Sequence, residues 1–250
     1  MKIEAFIQKI KEADSITILT GAGISTASGI PDFRGDNGFW KTNKPIYFDE
    51  FLSSSAKRKE SWKNNIALTQ KLNSITFNDG HTLVKRIMEL STSNILITQN
   101  IDGLHQKSGV NKDRIIEIHG TAQKANCLRC SKMFELYEFH KAYKLNQPIP
   151  NCDQCSGLVK VATISFGQPM NQVSMDEAID AATNTDLMVV FGSSLAVQPA
   201  ASLPSIALEN GSKLIICNLQ PTPYDHLATL VINEKIEDIA KELFDLGLFN

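Results

Sequence analysis

The feature that most limits the possible folds is an alternation of short β-branched runs with helical patterns. Six runs are predicted to be strands: SITILT, NILIT, RIIEI, TDLMVVFG, KLIICNL and TLVI. Helix starts are expected at Asp79, and at Ser174 with Glu177 as a capping box. Apolar strands separated by helices favour a parallel sheet covered on both faces. The predicted core is therefore a doubly wound α/β fold.

Two stretches interrupt this alternation. Residues 41–78 are mostly polar, and their apolar spacing predicts a helical insertion with Trp62, Ile66, Thr69 and Leu72 on one face. Residues 123–160 contain two cysteine pairs and lack a long apolar run. We expect both stretches to form one small domain. The larger domain would then consist of residues 1–40, 79–122 and 161–250.

The chain has five cysteines, an odd number, and four of them form two C-x-x-C pairs separated by the 21 residues 131–151. This is close to zinc-ribbon spacing, and four thiolates close a tetrahedral shell, so we predict a structural zinc site at Cys127, Cys130, Cys152 and Cys155. Cysteines that are merely buried fit the polar, turn-rich context poorly, and a redox dithiol needs only one pair. Cys217 is expected to be an inert core residue.

Composition argues against two kinds of partner. The formal charge of −2 and the pI near 6.2 provide no basic field for nucleic acid. The N-terminal MKIEAFIQKIKEAD suits an amphipathic helix and not a signal peptide, and no apolar run approaches the roughly 18 residues that span a bilayer. We expect a soluble, cytoplasmic protein without a membrane or nucleic-acid partner.

A glycine-containing loop, TGAGISTASGIPDFRG, follows the first predicted strand at residues 20–35. Gly21 and Gly23 would let the backbone turn tightly and approach a phosphate group, although Thr26 stands where a third glycine of G-x-G-x-x-G belongs. A plain turn after the strand is the alternative. The Pro-Asp-Phe-Arg turn adds an acid, an aromatic ring and a cation that packing alone would not require.

This stretch resembles the signature of the sirtuins, the NAD-dependent protein deacylases. The resemblance continues, in the family's order, at residues 98–109 (TQNIDGLHQKSG), 118–120 (IHG), 165–167 (SFG), 192–200 (GSSLAVQPA) and 218–225 (NLQPTPYD), together with the cysteine pairs. These motifs extend over nearly the whole chain. They imply a Rossmann-like NAD-binding domain beside a zinc-ribbon and helical domain.

The resemblance also implies roles for single residues. His119, which follows the run RIIEI, would be the general base, and Asn100 would be a second catalytic residue. The near-neutral pKa typical of histidine suits the role of a base. Contacts to NAD are implied for Gly21, Ala22, Gly23, Ser25, Asp32, Phe33, Arg34, Gln99, Ile101, Asp102, Gly192, Ser193, Ser194, Asn218, Leu219 and Ile236. Contacts to the substrate peptide are implied for Phe166, Gly167 and Val197, with the peptide added as a strand.

Several alternatives remain open at this point. The polar residues of TQNID could cap a helix, Ile236 could belong to a helix core, and the SFG segment could be an ordinary part of a sheet. The remaining histidines are expected to include structural or surface residues.

The predicted function is an NAD-dependent protein-lysine deacylase that acts on acyl-lysine proteins or peptides, with acetyl the favoured group. The resemblance favours neutral acyl groups, because the helical insertion lacks an evident Tyr-x-x-Arg pair, which in the relatives that remove succinyl or malonyl groups pairs with the acyl carboxylate. Lys160-Val161 and Gln168 replace an Arg-Pro and an acid of many relatives, which leaves the peptide preference open. An NAD glycohydrolase or ADP-ribosyltransferase, and an NAD-binding sensor without turnover, are the rival interpretations.

Overall fold

The computed structural model describes residues 2–31 and 44–247. The helices of this part are α1 (Lys2–Glu12), α2 (Phe48–Ser53), α3 (Ser55–Ser74), α4 (Asp79–Glu89), α5 (Leu104–Lys107), α6 (Tyr137–Lys144), α7 (Gln172–Thr183), α8 (Leu203–Glu209) and α9 (Ile236–Asp245). The strands are β1 (Ile16–Thr20), β2 (Ile95–Thr98), β3 (Ile115–Glu117), β4 (Gly120–Cys127), β5 (Met133–Glu135), β6 (Val159–Thr163), β7 (Leu187–Phe191), β8 (Lys213–Cys217) and β9 (Leu230–Ile232). Within these ranges, no helix is both long and apolar enough to span a bilayer.

The six predicted runs form one parallel sheet with the order β3-β2-β1-β7-β8-β9. If these six strands are renumbered along the chain, the order is 3-2-1-4-5-6, that of doubly wound dinucleotide-binding folds. The direction of winding reverses between β1 and β7, which end side by side at Thr20 and Phe191. In such sheets a ligand binds beyond the carboxyl ends of the strands at this reversal.

Helices cover both faces of the sheet because alternate side chains of each strand point in opposite directions. Leu187, Val189 and Phe191 of β7 pack with α1, α4 and α9, whereas Met188 and Val190 pack with α7 and α8. All five are fully buried, which explains why the run is apolar throughout. The doubly wound prediction is confirmed. Cys217 of β8 lies in the first of these cores, as expected for an inert residue.

The helix start at Asp79 agrees with its prediction, whereas the start predicted at Ser174 does not, and in each case a side chain just outside the helix acts as the cap. Asn78 precedes α4, and its Oδ1 atom accepts a hydrogen bond from Gly80 N at 2.9 Å. Asn171 precedes α7 and accepts from Ser174 N at 3.0 Å. Ser174 therefore lies inside the helix, and the predicted capping box with Glu177 is wrong.

A separate core joins the two insertions. The helical insertion contains α2 and α3, and all four residues predicted for its apolar face are buried in α3. Trp62 of α3 stacks on Phe139 of α6 with ring centroids 5.0 Å apart, above the antiparallel sheet β5-β4-β6. Every fully buried member of this core except Val161 lies in residues 41–78 or 123–160. This arrangement supports treating the insertions as one small domain, whose boundaries stay a prediction.

Candidate active site

The loops after β1 and β7 pack backbone to backbone where the winding reverses. Gly23 N donates to Gly192 O at 2.9 Å, and Gly21 N donates to Phe191 O at 3.0 Å. A Cβ atom on Gly192, which has φ +62°, would lie 2.4 Å from Ile24 N, and one on Gly21 would lie 2.7 Å from Gly192 O. Only glycine permits such approaches. These glycines therefore hold two loops together, in addition to any contact that they make with a ligand.

Gln99 connects three loops at this edge of the sheet. Its Nε2 atom donates to Ser193 Oγ at 2.8 Å, and its main-chain N–H donates to Thr20 O at 3.0 Å. Its carbonyl oxygen lies 3.0 Å from His119 Nδ1. The segments that follow β1, β2, β3 and β7 thus converge, as the motif positions predict.

His119 lies between β3 and β4 and is half-buried. Because a carbonyl oxygen can only accept, the contact with Gln99 requires the proton on Nδ1. In the neutral ring, Nε2 is then the nitrogen that can take up a proton. This tautomer suits a general base whose Nε2 acts on a ligand.

Asn100 is buried beneath the glycine loop with its amide oriented by two acceptors. Its Nδ2 atom donates to Gly21 O at 3.1 Å and to Ser25 Oγ at 3.4 Å. Among the described residues, the hydrogen bonds to this side chain all use Nδ2. The amide oxygen is therefore the atom of Asn100 that suits a hydrogen bond from a ligand.

Asp102 is a buried carboxyl group that is held from two sides. Ser25 Oγ donates to Oδ2 at 2.8 Å, and Leu104 N donates to Oδ1 at 2.9 Å. Burial raises the pKa of Asp102, and these two hydrogen bonds oppose the rise. Leu104 is the first residue of α5, so the Asp102 carboxylate also caps this helix. This is the capping role that the sequence left open.

Four buried polar residues complete this region and were not predicted as site residues: Thr20, His81, Thr98 and His105. Thr20 Oγ1 donates to Thr98 Oγ1 at 2.8 Å and lies 3.0 Å from His105 Nε2. The rings of His81 and His105 are 5.0 Å apart, and burial lowers the pKa of His81 to about 4. Threonine at the last position of two apolar strands is the sequence signal that could have identified this cluster.

The predicted cofactor contacts after β7, after β8 and at the start of α9 give a mixed result. Asn218 is buried, and its Nδ2 atom donates to Gln220 O at 2.7 Å. Leu219 and Ser194 are exposed at the same edge of the sheet. Ile236, the first residue of α9, packs in the core of one sheet face, which is the helix-core alternative. Its contact with adenine stays a prediction.

The predicted peptide-binding segments are not strands in this structure. Residues 165–168 form a turn in which Gln168 N donates to Ser165 O at 2.9 Å, and Gly167 has φ +79°. Phe166 is 40% exposed and accepts a hydrogen bond from Phe48 N through its carbonyl oxygen. Val197 lies in an irregular segment that leads to α8. Addition of a peptide strand here stays a prediction.

The remaining predicted cofactor contacts are placed as follows. Ala22 begins the short 3₁₀ helix Ala22–Ser28, and Ile101 is half-buried, with its carbonyl oxygen accepting from Ala122 N. Asp32, Phe33 and Arg34 lie outside the described residues.

The four paired cysteines form a cluster whose sulfur atoms all lie within 4.8 Å of one another: Cys127, Cys130, Cys152 and Cys155. A tetrahedral zinc shell with Zn–S bonds of about 2.3 Å places sulfurs about 3.8 Å apart, so the cluster fits this ion. Both pairs end in the same turn, because Ser131 and Ser156 each have φ +59° and donate back to Cys127 O and Cys152 O. With four thiolates, the shell has no open position, which makes the site structural.

Fold and site together define a class: a doubly wound, dinucleotide-binding α/β protein with a four-cysteine module and a histidine at the ligand-binding edge. A family model described as the Sir2 family matches residues 21–199. The chain belongs to the Sir2 family.

Proteins similar to this one match it over nearly its whole length. The NAD-dependent protein deacetylase of Rhodopseudomonas palustris is 41% identical over 234 residues, which cover 94% of this chain and 92% of that protein. The NAD-dependent protein deacetylase of Thermotoga maritima is 38% identical over 251 residues, 99% of each chain. A solved structure described as Sir2 with a p53 peptide and NAD⁺ matches 100% of both chains with a TM-score of 0.87 and 34% identity.

Proposed function

We propose that this protein is an NAD-dependent protein-lysine deacetylase that releases nicotinamide, O-acyl-ADP-ribose and free lysine. The observation that carries this proposal is the convergence of His119, Gln99 and Asn100 at the point where the sheet changes its winding direction. The relatives named as NAD-dependent protein deacetylases support the same activity over nearly the full chain.

The crevice fits a dinucleotide through its chemistry. Glycine backbone, a serine hydroxyl and side-chain amides lie at the carboxyl ends of the strands, where they suit phosphates, ribose hydroxyls and a carboxamide. When bound, NAD supplies an anomeric carbon that nicotinamide leaves and that the acyl oxygen of a modified lysine can attack. Asn100 would orient the carboxamide through its amide oxygen, and Asp102 would accept from the carboxamide NH₂.

His119 would remove a proton from a ribose hydroxyl through Nε2. Gln99 assists by keeping the proton of the neutral ring on Nδ1. No hydride transfer is required of these residues. The zinc cluster lies in the small domain and would supply folding energy without taking part in the reaction.

The acyl-lysine substrate is proposed to enter as an extended peptide between the segments around Gly167 and Val197, with an acetyl group preferred. We also propose a cytoplasmic location. Thiolate ligands persist in reducing compartments, and the four clustered cysteines fit such a ligand set, which supports this location.

Mass spectrometry of the purified protein with NAD tests the proposal. The substrate is an acetyl-lysine peptide, with the unmodified peptide and no peptide as controls. Deacetylated peptide, nicotinamide and O-acetyl-ADP-ribose formed in equal amounts, and only with the acetylated peptide, are expected. Nicotinamide released equally without peptide would instead indicate an NAD glycohydrolase, and NAD binding without turnover across acetyl, propionyl and longer acyl peptides would indicate a sensor.

A further inference from the structure

His105 is a buried histidine for which packing alone gives no reason. It is 1% exposed. Its Nδ1 atom is buried and has no hydrogen-bond partner, and within the described part of the chain no other buried side-chain nitrogen or oxygen is in this state. Burying an imidazole in this way costs free energy that an aliphatic side chain of similar volume would avoid. The other ring nitrogen, by contrast, has a well-placed partner.

That partner begins a chain of hydrogen bonds. His105 Nε2 lies 3.0 Å from Thr20 Oγ1, which donates to Thr98 Oγ1 at 2.8 Å. Thr98 Oγ1 also accepts from the main-chain N–H of Asn100 at 3.0 Å. All four residues are at most 5% exposed. Water therefore offers little competition with any bond in the chain.

The direction of each bond follows from the donors. Because the Thr20 hydroxyl gives its proton to Thr98, the proton between His105 and Thr20 must come from Nε2. His105 is then a neutral Nε2–H tautomer, and the nitrogen without a partner is an acceptor, which is tolerated better than an unpaired N–H. Thr98 in turn accepts from both sides, so its Oγ1 atom is fixed beneath Asn100.

We propose that His105 is a positioning residue that acts on Asn100 through Thr20 and Thr98. The chain of bonds holds the backbone of Asn100 so that its amide meets Gly21 and Ser25 and presents its oxygen toward the crevice. Among the hydrogen bonds of the described residues, none joins His105 directly to Gly21 or Ser25. This inference rests on the proposed function of Asn100 in orienting nicotinamide.

Paired substitutions test the chain of bonds in the full-length protein. His105→Gln keeps an N–H near the position of Nε2, whereas His105→Asn places its amide near Nδ1 and loses the contact with Thr20. Thr20→Ser keeps the hydroxyl, and Thr20→Val removes it without changing the volume. The readouts are kcat/KM for NAD, KM for an acetyl-lysine peptide, and the thermal unfolding midpoint.

His105→Asn and Thr20→Val are expected to lower kcat/KM for NAD about tenfold, with peptide KM changed less than about twofold. His105→Gln and Thr20→Ser should stay within about threefold of the wild type. The double variant His105→Asn/Thr20→Val should be no worse than either single variant, because both remove the same interaction.

Two results would overturn the proposal. Equal losses in His105→Asn and His105→Gln that follow the unfolding midpoint would reduce His105 to core packing. Wild-type kinetics in Thr20→Val would break the chain even if the His105 variants did not fold. Failure of the proposed function gives a different result, because the wild type itself would then not deacetylate the peptide. In that case, calorimetric NAD affinities of Thr20→Val and Thr20→Ser still test the chain of bonds.

Discussion

The Nδ1 atom of His119 lies 3.0 Å from the main-chain carbonyl oxygen of Gln99. The side chain of the same glutamine donates to Ser193 across the sheet reversal at 2.8 Å. One residue therefore sets the imidazole tautomer and connects it to the loop after β7. The position of the proposed base is thus coupled to the contact between the segments that follow β2 and β7.

Replacing His119 with alanine should reduce deacetylation by about 10² to 10⁴, the usual contribution of a general base. NAD affinity should change less than about twofold, because the glycine loop and Asn100 remain in place. Steady-state kinetics and calorimetry measure the two quantities. His226→Ala is the matched control, since His226 is exposed and is not among the residues assigned to the site. Retained activity in His119→Ala would require another base.

The strands and the site edge could be predicted because their causes are local. A run such as TDLMVVFG is apolar on both faces only if helices cover both faces, and the motifs that follow such runs must emerge at the carboxyl edge of a parallel sheet. His119, Gln99 and Asn100 are brought together for this reason.

The remaining features depend on tertiary packing. The contact of His105 with Thr20 exists only because α5 packs near the end of β1, and no periodicity in the sequence encodes that distance. The start of α7 depends on one hydrogen bond that the Asn171 side chain accepts from Ser174 N. In the sequence, a capping box that begins at Ser174 is an equally plausible start. The segment at Gly167 is a turn in this structure, and the strand pairing predicted for it would need a separate peptide, which the sequence of this chain does not contain.

Gly192→Ala should destabilise the protein strongly because the added Cβ would lie 2.4 Å from Ile24 N at φ +62°. Displacing the packed loop is expected to cost about 3 kcal/mol or more in the free energy of unfolding. Gly211→Ala is the control: its φ is +88° but nothing lies within 4 Å of the added atom, so only backbone strain of about 1 kcal/mol applies. Urea denaturation measures both. Equal losses would show that the close contact of the loops carries no energy.

The cysteine cluster should bind one zinc ion per chain. Cys130→Ser should lower the zinc content measured by plasma mass spectrometry and lower the unfolding midpoint, because metal binding contributes directly to the folding of such modules. Cys217→Ala, which alters a core cysteine outside the cluster, should keep its zinc even if its stability falls. Full zinc content in Cys130→Ser would contradict the four-thiolate site.

Lys160 should make the stability of the protein rise at alkaline pH. Its side chain is 2% exposed and donates to the carbonyl oxygens of Val161 and Thr163, and burial lowers its pKa from 10.5 to about 8. Below pH 8 the charged amine is buried at a cost. Between pH 8 and 10.5 the folded state releases a proton that the unfolded state keeps, so the free energy of unfolding increases with pH.

The difference in stability between wild type and Lys160→Met should therefore shift toward the wild type by about 3 kcal/mol from pH 7 to pH 10.5, at 1.36 kcal/mol per pKa unit. Comparing the two proteins cancels the titration of all other groups. The variant also loses the hydrogen bonds of Lys160, which lowers its stability by an amount that varies little with pH. The informative quantity is therefore how the stability difference between the two proteins changes with pH. Urea titrations at several pH values measure it, and parallel curves would show that Lys160 titrates normally in the folded protein.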